Sequence, residues 1–435
     1  YAIAKAIQLN KKLIYTSPIK TLSNQKFHDI KKKCSTLFHL DENNIGLMTG
    51  DIKINPDNSQ IIIMTTEILR NKLFKDIEYF KDVYIVVFDE VHYIKDMERG
   101  HVWEESIIMM PKNIIMVLLS ATITNPHILS NWVEKIKGVK TNMVTTNFRP
   151  VPLNYHIYFN NNLYSLVSKD KKINFKNYDI VEKDLKKYIK DKYSTKAFFN
   201  QIVEYCSLNE MTPAILFSFS RKNCEIYSNY ITYTLINHET MREIETIFNQ
   251  YTKKNMSEEN QNLHQTLMIK KNLLKGIGIH HSGLMPILKE IIEIIFSKGL
   301  IRILFATETF AVGINMPAKS VIFTELEKYD NYHGKRSLFT DEFLQMSGRA
   351  GRRGLDVIGH VIYMPLKELF PKNEISNLIL GNSPKINSRF MLNTKLLLKS
   401  IESSFQNSNH IIFNSLKNNE IIENIKINNK DIEEL

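Results

Sequence analysis

The chain has 435 residues, 43% of them hydrophobic, enough for roughly two or three packed domains. Polar residues cut every apolar run well short of a bilayer span, so a soluble protein with no membrane partner is expected. Lys and Arg number 57 against 46 Asp and Glu, a formal charge of +11. That excess suits a polyanionic partner, although a Lys- and Asn-rich composition is enough by itself to make a chain basic.

Tyr1 opens the chain inside a helical run, YAIAKAIQLNKK, with no Met and no targeting segment, as expected of a piece of a longer protein. Strand candidates KLIYTSP, QIIIMTTE, VYIVVFDE and IIMVLLSAT follow, separated by amphipathic stretches. The Pro-bearing NFRPVPL (147–153) interrupts the pattern, which resumes as AILFSFS, IRILFATE, SVIFTE and GHVIYMP. Strands separated by helices imply right-handed βαβ crossovers, so the expected fold class is α/β, two parallel-sheet domains in tandem. The Asn/Lys-rich stretch near 160–194, which opens NNNLYSLVSKDKKINFKNYD, and the terminal IIENIKINNKDIEEL (421–435) read as insertions or loose surface. From residue 388, SRFMLNTKLLLKSIE reads as a helix with Phe390, Leu392, Leu396, Leu397 and Ile401 apolar, the start of a third, helical module. The expected domains are 1–146, 147–375 and 376–435. Cys34, Cys206 and Cys224 are far apart with no CxxC spacing, against a zinc site or disulfide framework and in favour of a reducing, intracellular compartment.

Polar residues gather at the ends of the predicted strands: Ser17-Pro18, Thr65-Thr66-Glu67, Asp89-Glu90, Ser120-Ala121-Thr122 and Thr307-Glu308. Ligands of open α/β sheets bind at those ends. Asp89 and Glu90 leave an apolar strand side by side, and two adjacent carboxylates repel unless a cation or a proton offsets them. Alone, the pair reads as a solvated strand end. The sharper alternative is a magnesium-binding Asp beside a water-activating Glu. A second anchor is FLQMSGRAGRRG (343–354), where Gln345, Arg349 and Arg352 are spaced QxxxRxxR among glycines. On a helix the two arginines would share a face. Paired guanidiniums suit a triphosphate, and equally a nucleic-acid backbone. Together, carboxylates in one domain and arginines in the next describe a nucleotide held in a cleft between domains.

With these anchors the chain resembles the superfamily-two DExH-box RNA helicases, within them the exosome-associated superkiller and mRNA-transport type, built on two RecA-like domains and a winged-helix module. The matching runs include YTSPIKTLSNQKF (15–27), GLMTGDIKINPD (46–57), MTTEILRNKLF (64–74), FDEVHYIKDMERGHVWEE (88–105) and LLSATITN (118–125). NFRPVPL, FSFSRKNCE (217–225), the long run 278–324 beginning GIHHSGLMP, and QMSGRAGRRG (345–354) complete the family's order.

The resemblance implies ATP and Mg²⁺ as cofactors, with Asp89 toward the metal and Glu90 activating the attacking water. His92 and Gln345 would link the nucleotide to the domain interface, and Arg349 and Arg352 would be arginine fingers. Gly313 and Asn315 would also face the nucleotide. Ser120, Ala121 and Thr122 resemble the motif coupling hydrolysis to strand separation. Pro18, Lys20, Thr65, Thr66, Thr307 and Glu308 fall in motifs that contact the nucleic-acid backbone. The implied partners are RNA, single-stranded or with a 3′ overhang, the RNA exosome and its adaptors, in the nucleus or the cytoplasm. His280 and His281 have no acidic or Cys neighbour in sequence, and an interdomain or structural role is expected. The family's phosphate loop, GxxxxGK[ST], does not occur, which truncation ahead of Tyr1 would explain. A DNA-repair helicase and an ATP-independent RNA-binding scaffold stay open as other readings.

Overall fold

The computed structural model of the chain describes all residues except 122, 147, 168–171, 191–193, 314–315, 331–333, 382–385, 393, 395, 399–407, 423–424 and 426–435. Two compact units result, residues 1–146 with 383–435, and residues 147–382.

The first unit is built on strands β1 (Lys12–Ser17), β2 (Ile45–Met48), β3 (Lys53–Ile54), β4 (Ile61–Thr65), β5 (Val83–Phe88) and β6 (Ile115–Leu118). Their order is β3-β2-β4-β1-β5-β6, all parallel except β3 against β2. Side chains alternate across a strand, so the β-branched runs feed two cores. Ile14, Ile62, Met64, Val86 and Phe88 point to one, packed by the helices Thr66–Lys75, Gly100–Met109 and Pro126–Lys137. Leu13, Tyr15, Ile61, Ile63, Ile85 and Val87 point to the other, covered by Phe27, Ile30 and Cys34 of the helix Lys20–Phe38. Burial on both faces fixes the register, because a slip by one residue would swap the two sets.

The second unit contains β7 (Leu153–Phe159), β8 (Asn162–Ser165), β9 (Ala214–Phe217), β10 (Ile277–His280), β11 (Ile303–Ala306) and β12 (Ser320–Phe323). A hairpin of β13 (Glu327–Asp330) and β14 (Gly334–Ser337) precedes β15 (Gly359–Tyr363). The main sheet runs β10-β11-β9-β12-β15-β7-β8, antiparallel only at β7–β8. The four central strands are buried almost throughout, as the apolar runs AILF, ILFA and VIF require. Two parallel-dominated sheets in tandem, each with helices on its faces, are the RecA-like pair expected.

Two expectations change. The 160–194 stretch is not loose where it is described: Asn162–Ser165 forms β8, and the helix Phe175–Lys190 buries Tyr178, Val181 and Leu185 in the core. Their spacing of three and four residues was a helical stripe that the surrounding Lys and Asn obscured. Ser388–Leu392 is not helical either; Phe390 and Leu396 pack into the first unit's core while Leu392 and Leu397 are exposed, and Ile401 lies outside the described residues. What holds this segment is polar. The fully buried Glu104 carboxylate accepts from Arg389 N–H at 2.6 Å, Ser388 Oγ at 2.9 Å and Leu416 N–H at 3.2 Å. Trp132 Nε1 adds a bond to the Asn414 carbonyl at 2.8 Å. Among the described residues no helix is long and apolar enough to cross a membrane.

Candidate nucleotide and nucleic-acid site

Because β1, β4, β5 and β6 are parallel, their C-terminal ends open on one edge of the first sheet. Pro18, Lys20, Thr65, Thr66, Asp89, Glu90, His92, Ser120 and Ala121 all lie on or just after those ends. The acidic turn is stitched to both neighbours: Asp89 N–H donates to Thr16 O at 2.9 Å, Leu119 N–H to Phe88 O at 2.8 Å, and Val91 N–H to Leu119 O at 2.9 Å. The backbone chain of bonds thereby ties Asp89-Glu90 to the segment carrying Ser120 and Ala121. Thr122 lies outside the described residues.

Asp89 Oδ1 accepts the Glu90 N–H at 3.0 Å, and Oδ2 accepts the Tyr15 hydroxyl with Lys26 Nζ 3.7 Å away. Tyr15 and Lys26 were not singled out in the sequence, although both sit in the matching run 15–27. Burial and the adjacent carboxylate push the Tyr15 phenol far above its ordinary range, so it stays a hydrogen donor. Glu90 occupies the left-handed region at φ 55, a strained conformation for a side-chain-bearing residue and one often found at functional turns. Its Oε2 is 3.2 Å from His92 Nδ1. Burial, helped by Lys95, lowers the His92 pKa to about 4, leaving a neutral imidazole beside that carboxylate.

The remaining residues of this edge are largely set by local structure. Thr65 ends β4, and Thr66 starts the next helix with its hydroxyl 3.4 Å from Ser17 O. Lys20 opens the helix Lys20–Phe38 and pairs with Asp51 at 2.6 Å. Arg99, not anticipated, donates to Glu67 Oε1 and to the Pro18 carbonyl.

In the second unit, Thr307 follows β11 and Glu308 begins the helix Glu308–Gly313; Asn315 lies outside the described residues. Gln345 is on the helix Thr340–Ser347, but the arginines are not on a helix. Gly348 caps it, and Gly351 at φ +84 with Gly354 at φ +80 turn the chain, so Arg349 and Arg352 project from a glycine-bent turn. Arg349 Nε donates to the Ala311 carbonyl at 3.0 Å, joining this turn to the helix after Thr307. Arg352 is held in a bidentate pair with Asp356, at 2.8 and 2.9 Å. Arg149, in NFRPVPL, donates to Gly348 O at 3.1 Å and Ala350 O at 2.9 Å and fixes the turn from beneath. Asp356 and Arg149 are thus the positioning residues that the sequence hid.

His280 and His281 do have acidic partners, brought by folding: His280 Nε2 is 2.9 Å from Glu293 Oε1 and His281 Nε2 is 3.2 Å from Glu225 Oε1. The partners come from helices elsewhere in the chain, which sequence adjacency could not reveal. Among the described residues no group of three His, Cys, Asp or Glu side chains could hold a metal. Asp89 and Glu90 offer hard oxygen donors of the kind a Mg²⁺ ion takes together with phosphate oxygens.

The fold defines the class: two RecA-like units, the first carrying the acidic turn and the second the arginine turn. Residues 1–129 match the DEAD/DEAH box helicase domain and residues 234–354 the helicase conserved C-terminal domain. The chain thus carries the two helicase domains, and it is related to the DExH proteins of the Mtr4/Ski2 type. It is 39% identical to the DExH-box ATP-dependent RNA helicase DExH9 of Arabidopsis thaliana over 95% of this chain and 43% of that protein. Identity to the human exosome RNA helicase MTR4 is 41%, over 92% of this chain and 38% of the relative. For the antiviral helicase SKI2 of Saccharomyces cerevisiae it is 35%, over 92% and 35%. The chain therefore spans well under half the length of these relatives.

Proposed function

We propose that the protein is an ATP-dependent RNA helicase that hydrolyses ATP to move 3′ to 5′ along single-stranded RNA or RNA with a 3′ overhang. RNA processing and exosome-linked decay are its proposed setting, on the strength of the relatives' names. The observation that carries the reading is the shared edge of the first sheet. It holds the carboxylate pair at one strand end and the hydroxyl-bearing loops at the neighbouring ones.

In this reading Asp89 holds Mg²⁺, with Tyr15 and Lys26 orienting its carboxylate. Bound Mg²⁺ supplies charge neutralisation at the β- and γ-phosphates. Glu90 takes the proton of the attacking water, its side chain aimed by the left-handed turn and by His92. Arg349 and Arg352 place guanidinium charge where negative charge develops on the γ-phosphoryl oxygens. Gln345 belongs to the same half. Pro18, Lys20, Thr65, Thr66, Thr307 and Glu308 contact the RNA backbone, which sets register without reading sequence. Ser120, Ala121 and Thr122 transmit the state of the acidic turn, to which the backbone bonds at Leu119 join the segment carrying Ser120 and Ala121.

The test is strand displacement by the intact protein on duplexes bearing 3′ or 5′ single-stranded tails, with ATP hydrolysis followed in parallel. RNA-stimulated hydrolysis and displacement confined to 3′-tailed RNA are expected. Displacement of DNA alone, or RNA binding that is indifferent to ATP, would contradict the proposal.

A further inference from the structure

Arg99 touches both nucleic-acid loops of the first unit while belonging to neither. β1 and β4 are adjacent and parallel, with Ser17 level with Thr65, so Pro18 and the Thr66-Glu67 pair leave the sheet side by side. No strand follows to hold these exits at a fixed separation. Arg99 spans them: Nε donates to Glu67 Oε1 at 2.9 Å, while Nη2 donates to that same oxygen and to the Pro18 carbonyl. A planar guanidinium with fixed donor directions can hold a carboxylate and a carbonyl in one geometry, which an ammonium cannot.

The root of the side chain is equally fixed. Asp96 Oδ1 accepts the N–H of Arg99 at 2.7 Å and of Glu98 at 3.0 Å, and Asp96 O accepts Gly100 N–H at 2.9 Å. The next residue has to be a glycine, since a Cβ on Gly100 would stand 2.4 Å from the Ile94 carbonyl. The guanidinium carbon lies 5.9 Å from the ring of the fully buried Trp103. Asp96 itself follows the short helix Val91–Lys95 that begins directly after Glu90.

We propose that Arg99 is a positioning residue for RNA binding: it sets the distance between the Pro18 and Thr66 loops and anchors both to the segment that carries Asp89, Glu90 and His92. The proposal rests on the reading of those loops as RNA contacts. In this role Arg99 does not neutralise a phosphate; its Nε and Nη2 donors go to the protein.

A salt titration separates the two roles. Equilibrium binding of a fluorescein-labelled single-stranded oligouridine to the full chain is measured by anisotropy at several salt concentrations. A lost phosphate contact lowers the slope of log K against log salt by about 0.7 for a single strand, whereas lost positioning weakens binding at an unchanged slope. Arg99→Gln is expected to weaken binding roughly tenfold, the scale of one charge-assisted hydrogen bond, with the slope unaltered. The double variant Arg99→Gln/Glu67→Gln keeps the net charge and is expected to bind as weakly as the single one. Glu67→Gln, which retains the arginine, is expected to show the same loss and serves if Arg99→Gln proves unstable in a thermal melt. Wild-type affinity in these variants, or a slope reduced in Arg99→Gln, would overturn the positioning role. Failure of the wild-type chain to bind RNA would remove the reading beneath it and the proposal together.

Discussion

Gly351 is the position where the arginine turn is most exposed to a small change. Its φ is +84, and a Cβ placed on it would stand 2.4 Å from Val151 Cγ1 and 3.2 Å from Gly359 Cα. Val151 is buried and β-branched, so it cannot swing aside. Gly354, three residues on, has nearly the same conformation at φ +80 but nothing within 4 Å of its Cβ direction. The left-handed conformation costs an alanine about 1–2 kcal/mol at either site. Overlap with Val151 adds about 1–3 kcal/mol at Gly351 alone. Gly351→Ala should therefore destabilise the second unit by about 2–5 kcal/mol, and Gly354→Ala by about 1–2 kcal/mol. Tryptophan fluorescence is blind to the difference, because Trp103 and Trp132 both lie in the first unit. Amide hydrogen exchange of peptides covering β15, measured across a urea series, reads the second unit directly. Equal losses from the two substitutions would refute the packing argument, since the two positions share their backbone strain and differ only in their neighbours.

Two pH-dependent outcomes follow from the charged groups of the site. The Arg352 guanidinium holds the Asp356 carboxyl below its ordinary value of 3.8, so the pair contributes stability above that value and loses it as pH falls through the lower, folded value. Asp356→Asn should thus cost about 1–3 kcal/mol in urea unfolding at neutral pH, a gap that narrows in strong acid; a gap independent of pH would contradict the pairing. Burial lowers His92 from an ordinary 6.5 to about 4, so its contribution to stability is present above 6.5 and lost as pH drops toward 4. Its imidazole proton resonances should stay at their neutral positions from pH 8 down to about 5, and a midpoint near 6.5 would show that the ring is solvated.

β1, β4 and β5 of the first edge were legible because they are buried on both faces and written as largely apolar runs, which leaves the polar residue ending each run conspicuous. Asp89-Glu90 and the QxxxRxxR turn stood out for the same reason. Short strands did not: β2 contains Gly46, β10 contains Gly278, and β3 and β8 are edge pieces of two and four residues. Nor could the sequence show where the helix bearing Gln345 stops, since Gly348 takes an ordinary helical φ of -58 and only the positive φ of Gly351 and Gly354 turns the chain away. The largest gap lies in pairings across the chain. Glu67 and Arg99 are 32 residues apart, and Glu104 and Arg389 are 285 apart. His280 and His281 looked isolated because Glu293 and Glu225 reach them only once helices have packed on the sheet. Polar contacts of this kind have no periodicity to announce them.

The central claim divides labour between two adjacent carboxylates, and the most direct measurement separates binding from turnover in the intact protein. Mg²⁺-dependent ATP affinity and RNA-stimulated hydrolysis are measured for Glu90→Gln and Asp89→Asn. Glu90→Gln keeps the shape of the side chain but cannot accept the water's proton, so ATP should bind with near wild-type affinity while turnover falls by about a hundredfold or more. Asp89→Asn offers an amide where a hard cation needs a carboxylate, so Mg²⁺-dependent affinity itself should fall. Retained turnover in Glu90→Gln, or equal losses of affinity in both variants, would contradict the account and leave Asp89 and Glu90 as a solvated strand end.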